Sequence, residues 1–149
     1  YKDGLYELAF PEIVSFVDAT FNTLPDKAHR AIAGLSMGGM HTLMITANYP
    51  DMFNYIGLYS AGVDFTKIKM EEISAYANLD AKLAKLAKSN PKLYWIACGD
   101  ADRLMPFNKQ LMDRMTKDGL KYTFHESTRG HLWSNWRQYS LLFIPQLFK

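Results

Sequence analysis

The segment Arg30 to Asn48 constrains this 149-residue chain more than any other. A short apolar run, Arg30-Ala31-Ile32-Ala33-Gly34-Leu35, reads as a strand. Ser36 follows it directly, and Met37 to about Asn48 reads as a helix that stops before Pro50. Glycines stand two residues before and two after the serine, giving Gly34-Leu35-Ser36-Met37-Gly38, with Gly39 next. A strand that turns into a helix at one residue needs a strained backbone at that residue. A side chain two positions to either side of Ser36 is expected to collide with the neighbouring element. Gly38 and Gly39 are expected to let the helix approach the sheet.

The remaining chain alternates in the same way, which predicts an α/β fold with a parallel sheet. Asp3 is placed to cap a first helix running to about Thr20. Leu8, Ile13, Phe16, Val17 and Thr20 recur on it at helical spacing, and Pro11 should kink it or mark its true start. Tyr55 to Ser60 reads as the second strand, and Asp64 to Glu72 as irregular. Leu79, Leu83 and Leu86 define an amphipathic helix that ends at Ser89-Asn90-Pro91. Lys82, Lys85 and Lys88 form its solvated face. Leu93 to Cys98 is the third strand. Pro106 to Asp118 is a helix with proline in its first turn and Gly119 just past its end. Lys121 to Glu126 is the fourth strand, and Ser134 to Phe143 a final helix before Pro145. The expectation is about four parallel strands with flanking helices.

Composition narrows the function classes. The chain is 48% hydrophobic and 21% charged, enough for a single packed domain. A net charge of +2 without a basic run argues against nucleic acid or an anionic membrane as partner. No apolar stretch approaches the roughly 18 residues of a membrane-spanning helix. Cys98 is the only cysteine, so no internal disulfide forms, and its apolar surroundings mark it as a core residue.

The strand–serine–helix junction has a chemical meaning. G-x-S-x-G in this context presents a nucleophilic serine beside a helix N-terminus. The free N–H groups and positive dipole end of that helix face the reaction centre. The Met37 amide is the expected oxyanion donor. Serine needs a base. Of the four histidines, His29 lies at the wrong end of its strand, His41 inside a helix and His125 inside a strand. His131 follows the last strand in a loop, where catalytic groups of doubly wound sheets collect. The acid should follow the third strand, at Asp102 or Asp100, with Asp64 after the second strand as a third candidate. Trp95 reads as core and Trp136 as packing of the last helix; Trp133 reads as lining the site or as a buttress of the histidine loop, the buttress being favoured.

Several motifs then fall in one order: Gly34-Leu35-Ser36-Met37-Gly38-Gly39, Tyr49-Pro50-Asp51-Met52-Phe53, Cys98-Gly99-x-x-Asp102, and Gly130-His131-x-Trp133 with Trp136-Arg137. Together they resemble the esterase D superfamily of α/β-hydrolases, most closely the feruloyl and acetylxylan esterases of carbohydrate esterase family one. The resemblance covers nearly the whole chain. It implies Ser36 as nucleophile, His131 as base and Asp102 as acid. It implies hydrolysis of feruloyl or acetyl esters on plant cell-wall polysaccharide such as xylan, without cofactor or metal, and a secreted or periplasmic location. An acyltransferase on the same fold, or an inert fragment, is the alternative. The sequence departs from the family at Thr128-Arg129-Gly130, where further glycines are usual, and this bulkier loop is expected to alter the acyl pocket. The family fold has about twice as many strands. The four seen here match its C-terminal half, so the N-terminal part of the domain is expected to be missing. The strand before Ser36 would then have a bare edge, through which a homodimer is expected to form.

Overall fold

The computed structural model describes residues 3–64 and 70–149. Four strands form one parallel sheet in the order β1-β2-β3-β4: Ala31–Leu35, Tyr55–Tyr59, Leu93–Gly99 and Thr123–Ser127. The helices are α1 (Leu5–Thr20), α2 (Met37–Asn48), α3 (Leu79–Ser89), α4 (Met105–Lys117) and α5 (Trp133–Phe143). Each connection between strands is long enough to return the chain to the same end of the sheet, as parallel pairing requires.

The alternation of side chains along the strands divides the core in two. Ile56, Leu58, Tyr94 and Ile96 face one side, with Leu43 and Ile45 of α2, Leu83 and Leu86 of α3, and Leu111 and Met115 of α4. Tyr55, Tyr59, Trp95 and Ala97 face the other side and pack on Trp136, Tyr139 and Phe143 of α5. Trp95 is thus a core residue, as its strand predicts. Cys98 is fully buried and free.

Three sequence expectations change in detail. Gly4, not Asp3, occupies the N-cap of α1, in a left-handed conformation with φ 66° and no side-chain cap. Pro11 lies inside α1, which runs through it. The packing face of α1 also differs: Leu8, Phe10 and Val14 meet the core, while Ile13, Phe16 and Val17 are exposed. Helical periodicity finds a stripe of apolar residues, but this helix is apolar on more than one side. The choice of inward face belongs to the elements it meets. Of the span expected to be irregular, Asp64 to Glu72, residues 65–69 lie outside the described residues, and Met70–Glu72 is a short 3₁₀ turn.

Among the described residues β1 is an edge strand. Its residues are half-buried or exposed, whereas every residue of β2 is buried. A groove of about 420 Å³ runs along β1 and beneath α5, lined by Leu35, Tyr59, Trp133, Trp136 and Phe143 among others. No helix of the described residues is long and apolar enough to cross a membrane.

The two faces of the helices give a direct test of packing. Leu83→Ala, at a fully buried position of α3, is expected to cost about 2–5 kcal/mol. Phe16→Ala, at a position 65% exposed on α1, should change stability by no more than about 0.5 kcal/mol. Urea unfolding of the two variants checks both values.

Candidate active site

The site is built on the carboxyl ends of the strands. Ser36 follows β1, Ser60 follows β2, Asp102 follows β3 and His131 follows β4. The parallel register brings all four ends to one edge.

Ser36 occupies the turn into α2 with φ 53° and ψ −118°, a conformation that side chains rarely adopt. Two backbone bonds hold it. Its N–H donates to the Tyr59 carbonyl at 2.8 Å, and its carbonyl accepts from Met40 N–H at 3.1 Å, which opens the helix. The glycines divide their work unequally. A Cβ on Gly34 would stand 2.2 Å from the Gly38 carbonyl oxygen, and one on Gly39 would stand 2.3 Å from the Ala61 Cβ. A Cβ on Gly38 would meet nothing within 4 Å. The expectation that Gly38 itself lets helix and sheet approach is therefore corrected. Gly38 contributes the backbone that Gly34 must clear, and Gly39 makes the helix–sheet contact.

His131 joins the two other members. Its Nε2 lies 2.9 Å from the Ser36 Oγ. Its Nδ1 lies 2.9 Å and 3.1 Å from the two Asp102 carboxylate oxygens. Asp102 is buried, and its Oδ1 also accepts from the Leu104 N–H at 2.9 Å. Burial opposes the carboxylate charge. The Leu104 amide, the Ser60 hydroxyl and His131 outweigh it together and hold the Asp102 carboxyl below its usual range. The Met37 amide stands at the first position of α2, where helical N–H groups have no intrahelical acceptor.

The histidine loop is fixed by backbone contacts. The Ala101 N–H donates to the Arg129 carbonyl at 3.2 Å, and Asp100 N–H donates to the Ser127 carbonyl at 2.7 Å. Gly99 admits this approach, since a Cβ there would stand 2.0 Å from the Arg129 oxygen. Arg129 takes the left-handed φ of 73° that glycine would take more easily. Asn135, at the start of α5, donates its amide to the Thr128 and Gly130 carbonyls at 2.9 Å and 3.1 Å.

The other candidates lie elsewhere. Asp100 is exposed in the turn after β3. Asp64 lies beyond β2, and His131 turns Nδ1 to Asp102 instead. His29 pairs with Asp26 and His41 with the buried Glu7. His125 stacks on Trp95 at 5.8 Å and 15°. Trp133 is not the buttress of the histidine. It is 66% exposed, and the ring set edge-on to His131, with centroids 4.8 Å apart, is that of Trp136. Trp136 also donates its indole N–H to Ser60 at 3.2 Å. Ser60 and Asn135 carry no motif of their own; β2 leads directly into Ser60, and the return of α5 to the sheet brings Asn135 and Trp136 to the site. No group of three or more His, Cys, Asp or Glu among the described residues could hold a metal ion.

Comparison with known proteins gives the family. Residues 8–142 match the family described as putative esterase, and the chain belongs to it. The chain is 34% identical over 140 residues to an endo-1,4-beta-xylanase/feruloyl esterase of Xylanibacter ruminicola, covering 93% of this chain and 17% of that protein. It is 28% identical over 155 residues to an acetyl esterase of Caldicellulosiruptor saccharolyticus, covering 86% of this chain and 58% of that one. In structure it resembles a fluorophosphonate-binding serine hydrolase of Staphylococcus aureus, with a TM-score of 0.78, 21% identity, and 97% of this chain matched to 64% of the other. The fold is that of α/β-hydrolase esterases, and the chain spans less than two thirds of the length of each of these proteins.

Two predictions follow from this geometry. Gly34→Ala should lower the melting temperature and displace Ser36, whereas Gly38→Ala should melt close to the parent. Differential scanning calorimetry of the pair separates them. Asp102 ionises more readily here than in an unfolded chain, so its contribution to stability is present above the ordinary carboxylate range. It is lost as pH falls through its folded value. The stability gap between parent and Asp102→Asn should thus be widest near neutral pH and narrow on acidification, as urea unfolding at a series of pH values would show.

Proposed function

We propose that this chain carries the site of a serine esterase that hydrolyses feruloyl or acetyl esters on plant cell-wall polysaccharide such as xylan. The observation that carries the proposal is the unbroken run of hydrogen bonds from Ser36 Oγ through His131 to buried Asp102. The names of the two relatives support the substrate class: one is a xylanase/feruloyl esterase and the other an acetyl esterase.

In this reading Ser36 Oγ attacks the ester carbonyl carbon while His131 Nε2 takes its proton. Asp102 holds the imidazole in the tautomer with hydrogen on Nδ1 and stabilises the imidazolium that forms. The Met37 N–H donates to the developing oxyanion, a contact worth roughly 3–4 kcal/mol in other serine hydrolases. The tetrahedral intermediate collapses as the sugar C–O oxygen departs with the proton from His131. An acyl-Ser36 ester remains. Water then attacks that ester, giving its proton to His131, and the free acid leaves as Ser36 recovers its hydrogen.

The exposed side chains of Met37, Leu132 and Trp133 lie beside this centre in sequence and offer an apolar rim to an aromatic acyl group. The chain is proposed as the C-terminal part of one esterase domain, a reading that the open edge of β1 supports. A polymeric cell-wall substrate places the protein outside the cytoplasm, in a secreted or periplasmic setting.

Ser36→Ala should abolish release of ferulate and acetate from model esters, with a loss in kcat of roughly 10⁶-fold as in other serine hydrolases. It should also abolish labelling by a fluorophosphonate probe. Unchanged turnover in Ser36→Ala would sink the proposal. Release of acetate without any release of ferulate would remove its feruloyl half.

A further inference from the structure

His131 stands in a loop that one residue of α5 grips on both sides. The Thr128 and Gly130 carbonyls accept from the Asn135 side-chain amide at 2.9 Å and 3.1 Å. The Leu132 carbonyl accepts the backbone N–H of Asn135 at 3.1 Å. Asn135 therefore holds the carbonyl before His131 and the carbonyl after it. The Arg129 carbonyl is taken separately, by the Ala101 N–H at 3.2 Å.

The chemistry of asparagine fits this place. Its amide nitrogen carries two hydrogens, and the two carbonyls use one each. Both neighbours are acceptors only, so the end of the side chain that faces them is the NH2 group. Asn135 is buried, where a lost bond is costly. Backbone strain gives the loop a second need for such a clamp. Arg129 has a φ of 73°, which a residue with a side chain keeps only where its surroundings over-determine it. The carbonyls on either side of Arg129 are the two that the Asn135 amide holds. Gly99 makes room for this, since a Cβ there would stand 2.9 Å from the Asn135 amide nitrogen. Ala101 is the residue before Asp102, so the loop of the base is also tied to the turn of the acid.

We infer that Asn135 is a positioning residue that holds the histidine loop so that the His131 ring spans Ser36 and Asp102. This rests on the reading of Ser36, His131 and Asp102 as a catalytic triad. The ring must keep Nε2 2.9 Å from Ser36 Oγ and Nδ1 2.9 Å from Asp102 at the same time. A misplacement of about 1 Å can cost roughly 10²-fold in rate. Trp136, Tyr139 and Phe143 fix α5 in the aromatic core. Asn135 carries the position of that core to the loop.

Asn135→Ala removes both donors at a helical position that alanine favours. Asn135→Ser keeps a hydroxyl with one hydrogen, which cannot serve both carbonyls, and it carries the same test if the alanine variant does not fold. Leu83→Ala, in the other core, controls for loss of stability alone. It should keep the parent kcat at a temperature where circular dichroism shows every variant folded. At that temperature Asn135→Ala should lower kcat by up to roughly 10²-fold at an unchanged KM. In proton NMR near neutral pH, the low-field resonance of His131 Nδ1–H, assigned by its loss in His131→Gln, should broaden or shift in Asn135→Ala. If either kcat or this resonance stays at its parent value, the inference is overturned. In the His131→Gln background, Asn135→Ala should lower the residual hydrolysis no further, and a further loss equal to that in the parent overturns the inference as well. The NMR reading does not depend on turnover. Failure of the esterase proposal, seen as unchanged hydrolysis in Ser36→Ala, is therefore a separate result.

Discussion

The close approach of β1 to α2 is the constraint on which the site depends. Gly34 passes against the Gly38 carbonyl with no room for a Cβ, and Gly39 does the same against Ala61. This contact forces the chain from strand to helix at one residue and leaves Ser36 with φ 53°. The strain is balanced by the Ser36 N–H bond to Tyr59 and by the packing of α2 into the larger core. One local junction thereby exposes a hydroxyl and aims a helix N-terminus at the same point.

The remaining groups reach that point because the sheet is parallel. Each β–α connection returns to the same edge, so the loops after β2, β3 and β4 deliver Ser60, Asp102 and His131 beside Ser36. Asp102 is buried and still charged, which requires donors. The Leu104 amide, the Ser60 hydroxyl and His131 supply them. The aromatic layer under α5 adds a second function to packing. Tyr59, Trp95, Tyr139 and Phe143 hold the helix in place, and Trp136 on the same helix meets both Ser60 and His131.

The site is polar at its centre and apolar around it. Met37, Leu132 and Trp133 are exposed, and the groove along β1 is lined largely by apolar side chains. Ser36, His131 and Asp102 meet at the strand ends, where His131 bridges the other two.

Some of this was legible in the residues alone. Alternating apolar runs predicted four parallel strands, and the glycine pattern around Ser36 predicted the turn, because both follow from short-range sterics. His131 was found by its place after the last strand. Asp102 stood among three aspartates until a family resemblance favoured it, since spacing along a chain does not say which carboxylate meets an imidazole. Other features were decided only by tertiary structure. The inward face of α1, the idle position of Gly38 and the exchange of Trp133 for Trp136 beside His131 all depend on what a distant element presents. Ser60 shows the same limit. Nothing in Tyr59-Ser60-Ala61 marks a hydroxyl near a triad. The parallel sheet puts it beside Ser36, and α5, 76 residues later, brings an indole N–H within 3.2 Å of it.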